Sequence, residues 1–373
     1  MAAWSHAPFA VEVEDYLVQE FGKKFGYDSQ NTDGVFATGG AEANLTAILC
    51  ALNNKYPQFA KDGVFGIRKR PVIYCSDEAH HSIAKAAKVA GLGYQVINHI
   101  PIDEKQGLLT EALVNQIQND IAKGNQPLMV VATAGSTGAG GIDDLLSISK
   151  IAKKYGLWFH VDGAYGAASI LNNNLKRFLS GIEKSDSITF DAHKWLSLPM
   201  GISIFLTSNK EILGKTFRIT TEYMPKEAEQ LQIVDPFTHS IQWSRRFMGL
   251  KLYLSLLFSG WEGYEQVIEH QRQMGLYLKE QLIATDWIIK NNTPLPIICF
   301  TDNNLQSNND FIPFISKEVI ENRQSWLSQY PIGRLNTLRA CITNYSTSKE
   351  DIEEIVYQVN QAREKFLEAK IKV

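Results

Sequence analysis

Ser187-Ile-Thr-Phe-Asp-Ala-His-Lys-Trp195 begins as a β-prone run and ends in a turn that carries Lys194. Such a run followed by a turn puts the lysine amine at the carboxyl end of a strand, where open α/β sheets hold their ligands. A lysine becomes a nucleophile toward carbonyls when burial and neighbouring positive charge lower its pKa. Most lysines are solvated cations, so the His193-Lys194 pair takes its meaning from the other stretches of the chain.

Upstream, Leu157-Trp-Phe-His-Val-Asp162-Gly-Ala164-Tyr-Gly reads as an apolar strand closed by a carboxylate and small residues. A buried acid is costly unless it meets a cation, and a protonated pyridine nitrogen is one such cation. The strand Leu128 to Ala132 runs into Thr133-Ala-Gly-Ser-Thr137-Gly-Ala-Gly-Gly, whose small residues and hydroxyls suit close approach to a ligand or a plain loop. Val72 to Ser76 reads as a strand, and Ser76-Asp-Glu-Ala-His80-His81-Ser opens a helix that Ser76 or Asp77 could cap. That places His80 in a first helical turn, either stacked on a flat ring or simply half exposed. Gly34-Val-Phe-Ala-Thr-Gly-Gly-Ala-Glu-Ala-Asn-Leu joins a short strand to a helix starting at Ala41. A phosphate fits Gly39, Gly40 and Ala41, where glycine admits an anion to the helix N–H groups; an ordinary strand-to-helix turn reads the same way. Asp143 and Asp144 open a helix with Lys153 and Lys154 in its last turn and Gly156 beyond, and Gly201 to Thr207 is a further strand. The repeated order strand, helix, strand predicts a mostly parallel sheet with right-handed crossovers.

The chain has 373 residues, 45% hydrophobic and 21% charged, as expected for one large core with a second, smaller unit. A net charge of -3 without a long Lys/Arg run argues against nucleic acid or an anionic membrane as partner. The four cysteines, Cys50, Cys75, Cys299 and Cys341, lie far apart with no Cys-x-x-Cys spacing, so they read as thiols of a reducing compartment and not as metal ligands. No signal-peptide pattern opens the chain and no apolar run is long enough to span a bilayer, which points to the cytoplasm. Residues 1–33 read as a helical lead-in, 34–290 as the large domain with a mobile loop at 214–243, and 291–373 as a small C-terminal domain. A helical region from Ser244 to about Ile283 is expected to break near Gly260, and Ser348-Lys-Glu-Asp351 to open the last helix as a capping box.

Taken in order, Thr38-Gly-Gly-Ala-Glu-Ala-Asn-Leu, Ser76-Asp-Glu-Ala-His-His-Ser, His160-Val-Asp-Gly-Ala-Tyr, Asp191-Ala-His-Lys-Trp, Ser244-Arg-Arg-Phe-Met-Gly-Leu-Lys and Leu338-Arg-Ala-Cys-Ile-Thr-Asn resemble the group II pyridoxal-dependent amino-acid decarboxylases. That family comprises aromatic amino-acid, glutamate and 2,4-diaminobutyrate decarboxylases, and the resemblance covers nearly the whole chain. It implies the aspartate-aminotransferase-like fold type I, with a mostly parallel seven-stranded sheet and a small α+β domain. It also implies pyridoxal 5'-phosphate (PLP) as cofactor, an L-amino acid as substrate and a homodimer with its site near the interface. By position, Lys194 would form the Schiff base, Asp162 would pair with the pyridine N–H, and His80 and Ala164 would cover the two ring faces. Thr137 would reach the phenolic oxygen, and Gly39, Gly40 and Ala41 the phosphate. Asp191 and His193 would order the site, and Arg339 would meet the substrate carboxylate.

The chain departs from the family pattern in three places. Ala41 stands where relatives often carry Ser or Thr. No tyrosine occupies the loop before Ser244 where aromatic decarboxylases place their presumed Cα proton donor, which leaves Tyr223 or His239. The phosphate turn lies only about forty residues from the first residue, so the chain resembles an N-terminally short member. Alternatives to decarboxylation are another fold type I reaction (aldehyde-forming oxidative deamination, carbon–carbon lysis or transamination) or a catalytically degenerate paralogue.

Overall fold

The structure, a computed structural model, describes residues 1–219, 231, 233–321 and 325–371. Its main sheet has seven strands in the order β1 (Asp33–Ala37), β7 (Ser203–Thr207), β6 (Ser187–Asp191), β5 (Trp158–Asp162), β4 (Gln126–Thr133), β2 (Pro71–Ser76), β3 (Ile97–Ile100). Strands β6, β5, β4, β2 and β3 are mutually parallel, and β7 runs antiparallel to both β6 and β1. Every strand except β7 therefore ends at one edge, which brings together the turns after Ala37, Ser76, Thr133, Asp162 and Asp191.

Alternation along these strands sorts the core into two layers. Tyr74, Val130, Phe159, Val161, Ile188 and Phe190 face α1 (Pro8–Phe25), α5 (Thr110–Ala122) and α6 (Leu145–Tyr155), together with the helix that begins at Gly249. Ile73, Cys75, Met129, Val131 and Phe205 face α2 (Gly40–Lys55), α4 (Ser82–Val89) and α7 (Ile212–Phe217); the short α3 (Phe59–Asp62) follows α2. The helix α8 (Gly249–Ala284) is interrupted where Gly260 takes φ 65°, as expected of the break predicted there.

A second sheet, β10 (Ser328–Ile332), β11 (Leu335–Cys341), β9 (Ile297–Asp302), β8 (Trp287–Ile289), is antiparallel throughout. It packs on α9 (Phe311–Glu321) and α10 (Lys349–Ile371) around Trp287, Phe300, Phe311, Ile352, Val356 and Phe366. Ser348 and Asp351 form the capping box, each backbone N–H donating to the other's side chain, at 3.3 Å to Ser348 Oγ and 2.8 Å to Asp351 Oδ2.

Two local expectations change. Asp144 alone caps α6, accepting from Ser147 N at 3.0 Å, and Gly156 closes the helix in the left-handed region. Asp143 is buried instead, accepting Leu108 N and Thr133 N at 2.7 Å each, which clasps the small-residue loop shut. Neither Ser76 nor Asp77 caps α4: the helix begins at Ser82, so His80 lies in the turn before it. Of the loop expected at 214–243, residues 220–230 and 232 lie outside the described residues, while Ile212–Phe217 is helical. Among the described residues no helix is long and apolar enough to cross a membrane. All four thiols are free, and Cys50, Cys75 and Cys299 are buried.

Candidate active site

Lys194 sits in the connection between β6 and β7, stiffened from within. Lys194 N donates to Asp191 O at 3.1 Å, and His193 Nδ1 lies 2.8 Å from the Ile202 carbonyl. Asp191 ends β6 with its carboxylate buried, accepting a short hydrogen bond from Ser203 Oγ. Its Oδ2 lies 3.1 Å from Lys194 Nζ and 3.7 Å from His193 Nε2. The lysine side chain keeps 38% of its surface exposed against 2% for its partner, so the amine stands at the open edge while its counter-ion is anchored below.

Asp162 ends the adjacent β5 and is buried. Burial pushes its carboxyl above the ordinary carboxylate range; the Lys194 ammonium and hydrogen bonds from Asn44 and Ala164 N pull it back, and Asp191 pushes it up again. Asn44 Nδ2 donates to Asp162 Oδ2 at 2.9 Å, and Ala164 N to Oδ1 at 3.2 Å. Gly40 lies over Ala164 and Asp191: a Cβ added there would come within 3.0 Å of Asp191 Oδ2 and 3.4 Å of the Ala164 methyl. Gly39, the N-cap of α2, faces open space, and no side chain caps that helix.

His80 is exposed before α4, its Nδ1 2.8 Å from Ser82 Oγ. Ser82 Oγ also accepts from Asn44 Nδ2 at 2.8 Å, so His80 and Asp162 share one amide. Thr137 is exposed on the loop after β4, next to Gly138. Arg339 Nε donates to Gly138 O at 2.8 Å, and among the described residues no carboxylate pairs with its guanidinium. Lys194, His193, Asp191, Asp162, Ala164, Gly40 and, through Asn44, His80 thus converge at one sheet edge, with Thr137 and Arg339 joined across Gly138.

One candidate moves away. His239 is buried 3.2 Å from Asp33 Oδ2, at the start of β1. Asp33 pairs with Thr207, as Ser187 does, so His239 lies at the opposite edge of the sheet from Lys194, about 13 Å down the strands at about 3.3 Å per residue. A cavity of about 960 Å³ opens at that far edge beside Asp15, Asp33 and His239, remote from the lysine chemistry. Tyr223 lies outside the described residues.

Sequence reasoning gave no role to Asn44, Ser82, Thr189, Ser203 or the pair Glu78 and Tyr330. Tyr330 in β10 donates a short hydrogen bond to Glu78, two residues from His80, and its ring covers Gly138 so closely that no Cβ fits there. The available signal was Asn44 itself, a polar residue near the start of an otherwise small and apolar helix face.

The donor set fits PLP. It offers an amine at the open edge, a buried carboxylate able to face a cationic ring nitrogen, and an uncapped helix start with open space off Gly39 for a phosphate. Comparison with known proteins agrees. The sequence pattern of the pyridoxal-dependent decarboxylase conserved domain matches residues 1–302. The chain is 31% identical over 373 residues to an aromatic-L-amino-acid decarboxylase of Bacillus atrophaeus, covering 97% of this chain and 75% of that protein. It is 32% identical over 299 residues to the L-2,4-diaminobutyrate decarboxylase of Acinetobacter baumannii, covering 77% of this chain but only 58% of that protein. The crystal structure of Oryza sativa TDC with PLP and tryptamine superposes with a TM-score of 0.92 at 20% identity, covering 98% of this chain and 78% of that one. With the motifs, the fold and the site in agreement, the chain belongs to the pyridoxal-dependent decarboxylase family, carboxy-lyases that use PLP on amino acids.

Proposed function

We propose that this chain removes the α-carboxylate of an L-amino acid as carbon dioxide and releases the amine. The observation that carries this reading is Lys194 at the sheet edge, within charge reach of two buried carboxylates, Asp162 and Asp191. PLP, when bound, supplies a conjugated ring that accepts the electrons of the breaking bond. Lys194 would hold it covalently, Asp162 would pair with the pyridine nitrogen, His80 and Ala164 would flank the ring, Thr137 would meet the phenolic oxygen, and Gly39, Gly40 and Ala41 would receive the phosphate.

The remaining work falls to this chain's own side chains. Asp191, fixed by Ser203, restrains the Lys194 amine. Asp162 would keep a positive charge at the ring nitrogen, an electrostatic stabilisation by a group already held in place before the reaction. Arg339, without an acidic partner among the described residues, offers its guanidinium to the substrate carboxylate. His193 braces the Lys194 turn against Ile202.

The test is product analysis of the PLP-loaded protein with aromatic, acidic and basic L-amino acids. One carbon dioxide per amine formed is the expected result; aldehyde with ammonia, or a keto acid, would overturn the reading. We further infer a cytoplasmic homodimer. Phe9, Tyr16, Leu254, Leu257 and Phe258 are exposed along α1 and α8, and a group of large exposed apolar side chains on neighbouring elements is what a subunit contact buries. Light scattering should give twice 41.9 kDa, and a monomer at micromolar concentration would refute the dimer.

A further inference from the structure

We propose that Asn44 is the positioning residue of this site: its amide holds the Asp162 carboxylate toward the ring nitrogen and, through Ser82, fixes the imidazole of His80. The proposal rests on the reading above that Asp162 and His80 meet the cofactor ring.

The argument is one of donors and acceptors. A carboxylate only accepts, so the atom of Asn44 at 2.9 Å from Asp162 Oδ2 is the Nδ2 amine. Asn44 Oδ1 then faces Thr189 Oγ1 at 2.8 Å and His160 Nε2 at 3.0 Å, and both must donate to it. His160 therefore carries its proton on Nε2, and its Nδ1 accepts from Ser187 Oγ at 2.8 Å. Ser187 is free to donate there because it accepts from Trp158 Nε1 at 2.8 Å. On the other branch, Ser82 Oγ accepts from Asn44 at 2.8 Å and donates to His80 Nδ1, also at 2.8 Å. Ser82 N lies 3.2 Å from the same nitrogen, so His80 keeps its proton on Nε2 as well.

One amide thus sets the polarity of two imidazoles and the position of one carboxylate. Asn44 is 1% exposed, so its two donated and two accepted hydrogen bonds are made away from bulk solvent, where each counts for more than in water. His160 is buried and pushed down to about 3, so it stays neutral at physiological pH, as this polarity requires. The titratable groups around Asp162 are Lys194, Asp191, His160 and His80, and of these Lys194 and Asp191 act on it directly.

The experiment measures the PLP dissociation constant at pH 6 and pH 9 for the native protein and for Asn44→Asp, Asn44→Ser and Asp162→Asn, with urea unfolding of each. Two carboxylates in contact cannot both ionise freely, so Asn44→Asp shares one proton with Asp162 at low pH and thereby regains the missing donor. It should bind PLP within about threefold of native at pH 6 and at least about tenfold more weakly at pH 9, a tenfold change being one pKa unit of differential interaction. Asn44→Ser adds no charge and cannot reach Asp162; it should weaken PLP by about tenfold at both pH values, and it keeps the proposal testable if Asn44→Asp does not fold. Native binding by folded Asn44→Ser and Asn44→Asp at both pH values, with Asp162→Asn weakened, would overturn the proposal, as would lost stability without a change in PLP affinity. If Asp162→Asn also binds normally, the reading of Asp162 fails and the proposal falls with it.

Discussion

Replacing Lys194 with alanine is expected to lower kcat by at least about 10³-fold, the scale on which loss of a positioned proton-transferring or nucleophilic group is felt. The native protein with PLP should show a visible chromophore that borohydride traps on the peptide carrying Lys194, and the variant should trap none. The geometry makes this a clean substitution. Lys194 is more than a third exposed, so alanine opens no core cavity. Asp191 loses its nearby ammonium but keeps the Ser203 hydroxyl, so the β6 end stays hydrogen-bonded. Urea unfolding should consequently change little while turnover disappears. PLP trapped on a different lysine, or a variant within tenfold of native activity, would show that the sheet edge at Lys194 is not the reacting centre.

The second large effect is on stability. Arg245, from the Ser244-Arg-Arg motif, forms a short ion pair with Glu14 of α1, and both side chains are about 5% exposed or less. Glu14 Oε1 also accepts Gly249 N at 2.9 Å at the start of α8, and the Met1 ammonium donates to Arg245 O at 2.6 Å. Removing one member of such a pair strands a buried charge, so Arg245→Met should cost about 3–5 kcal/mol, read from the urea midpoint. Adding Glu14→Gln removes the stranded charge and keeps an acceptor for Gly249 N, and should recover a large part of that loss. A double variant as unstable as the sum of the singles would refute the coupling.

The sign of the pH dependence follows from Glu14. Burial raises its carboxyl above the ordinary value, against the opposing pull of Arg245. A carboxyl whose folded pKa is raised favours folding fully below its unfolded value and loses that contribution as pH rises through the folded one. Without Arg245 only the backbone hydrogen bonds from Gly249 and Met248 oppose the rise, and neutral Glu14 can stay buried. The Arg245→Met deficit should be smaller at pH 5 than at pH 8; an equal deficit would mean the loss is packing and not charge.

Much of the site was legible because its parts are local. Lys194, Asp162 and the Gly39-Gly40 turn each close a short apolar run, and a run of that length with a small-residue or lysine-bearing end declares itself within about ten residues. The Asp144 cap, the Gly156 terminator and the Ser348 capping box are likewise settled by neighbours three or four positions away. The helix after β2 starts at Ser82, later than a cap at Ser76 or Asp77 would put it, because the chain first continues its pairing with β3, Asp77 N donating to the Ile100 carbonyl.

What the sequence by itself determined was the set of strand ends and their chemistry: an amine, a carboxylate, an imidazole and a glycine turn, each at the end of an element. Which of these meet was decided only in three dimensions. The strand order 1-7-6-5-4-2-3 makes β5 and β6 neighbours and lays α2 across them, and that alone brings Asn44 to Asp162, His160 and Thr189. The same order carries His239 to the opposite edge and Glu14 to Arg245. Periodicity reports which face of an element is buried, whereas a hydrogen bond between residues more than a hundred positions apart depends on strand neighbours and register, which no local pattern encodes.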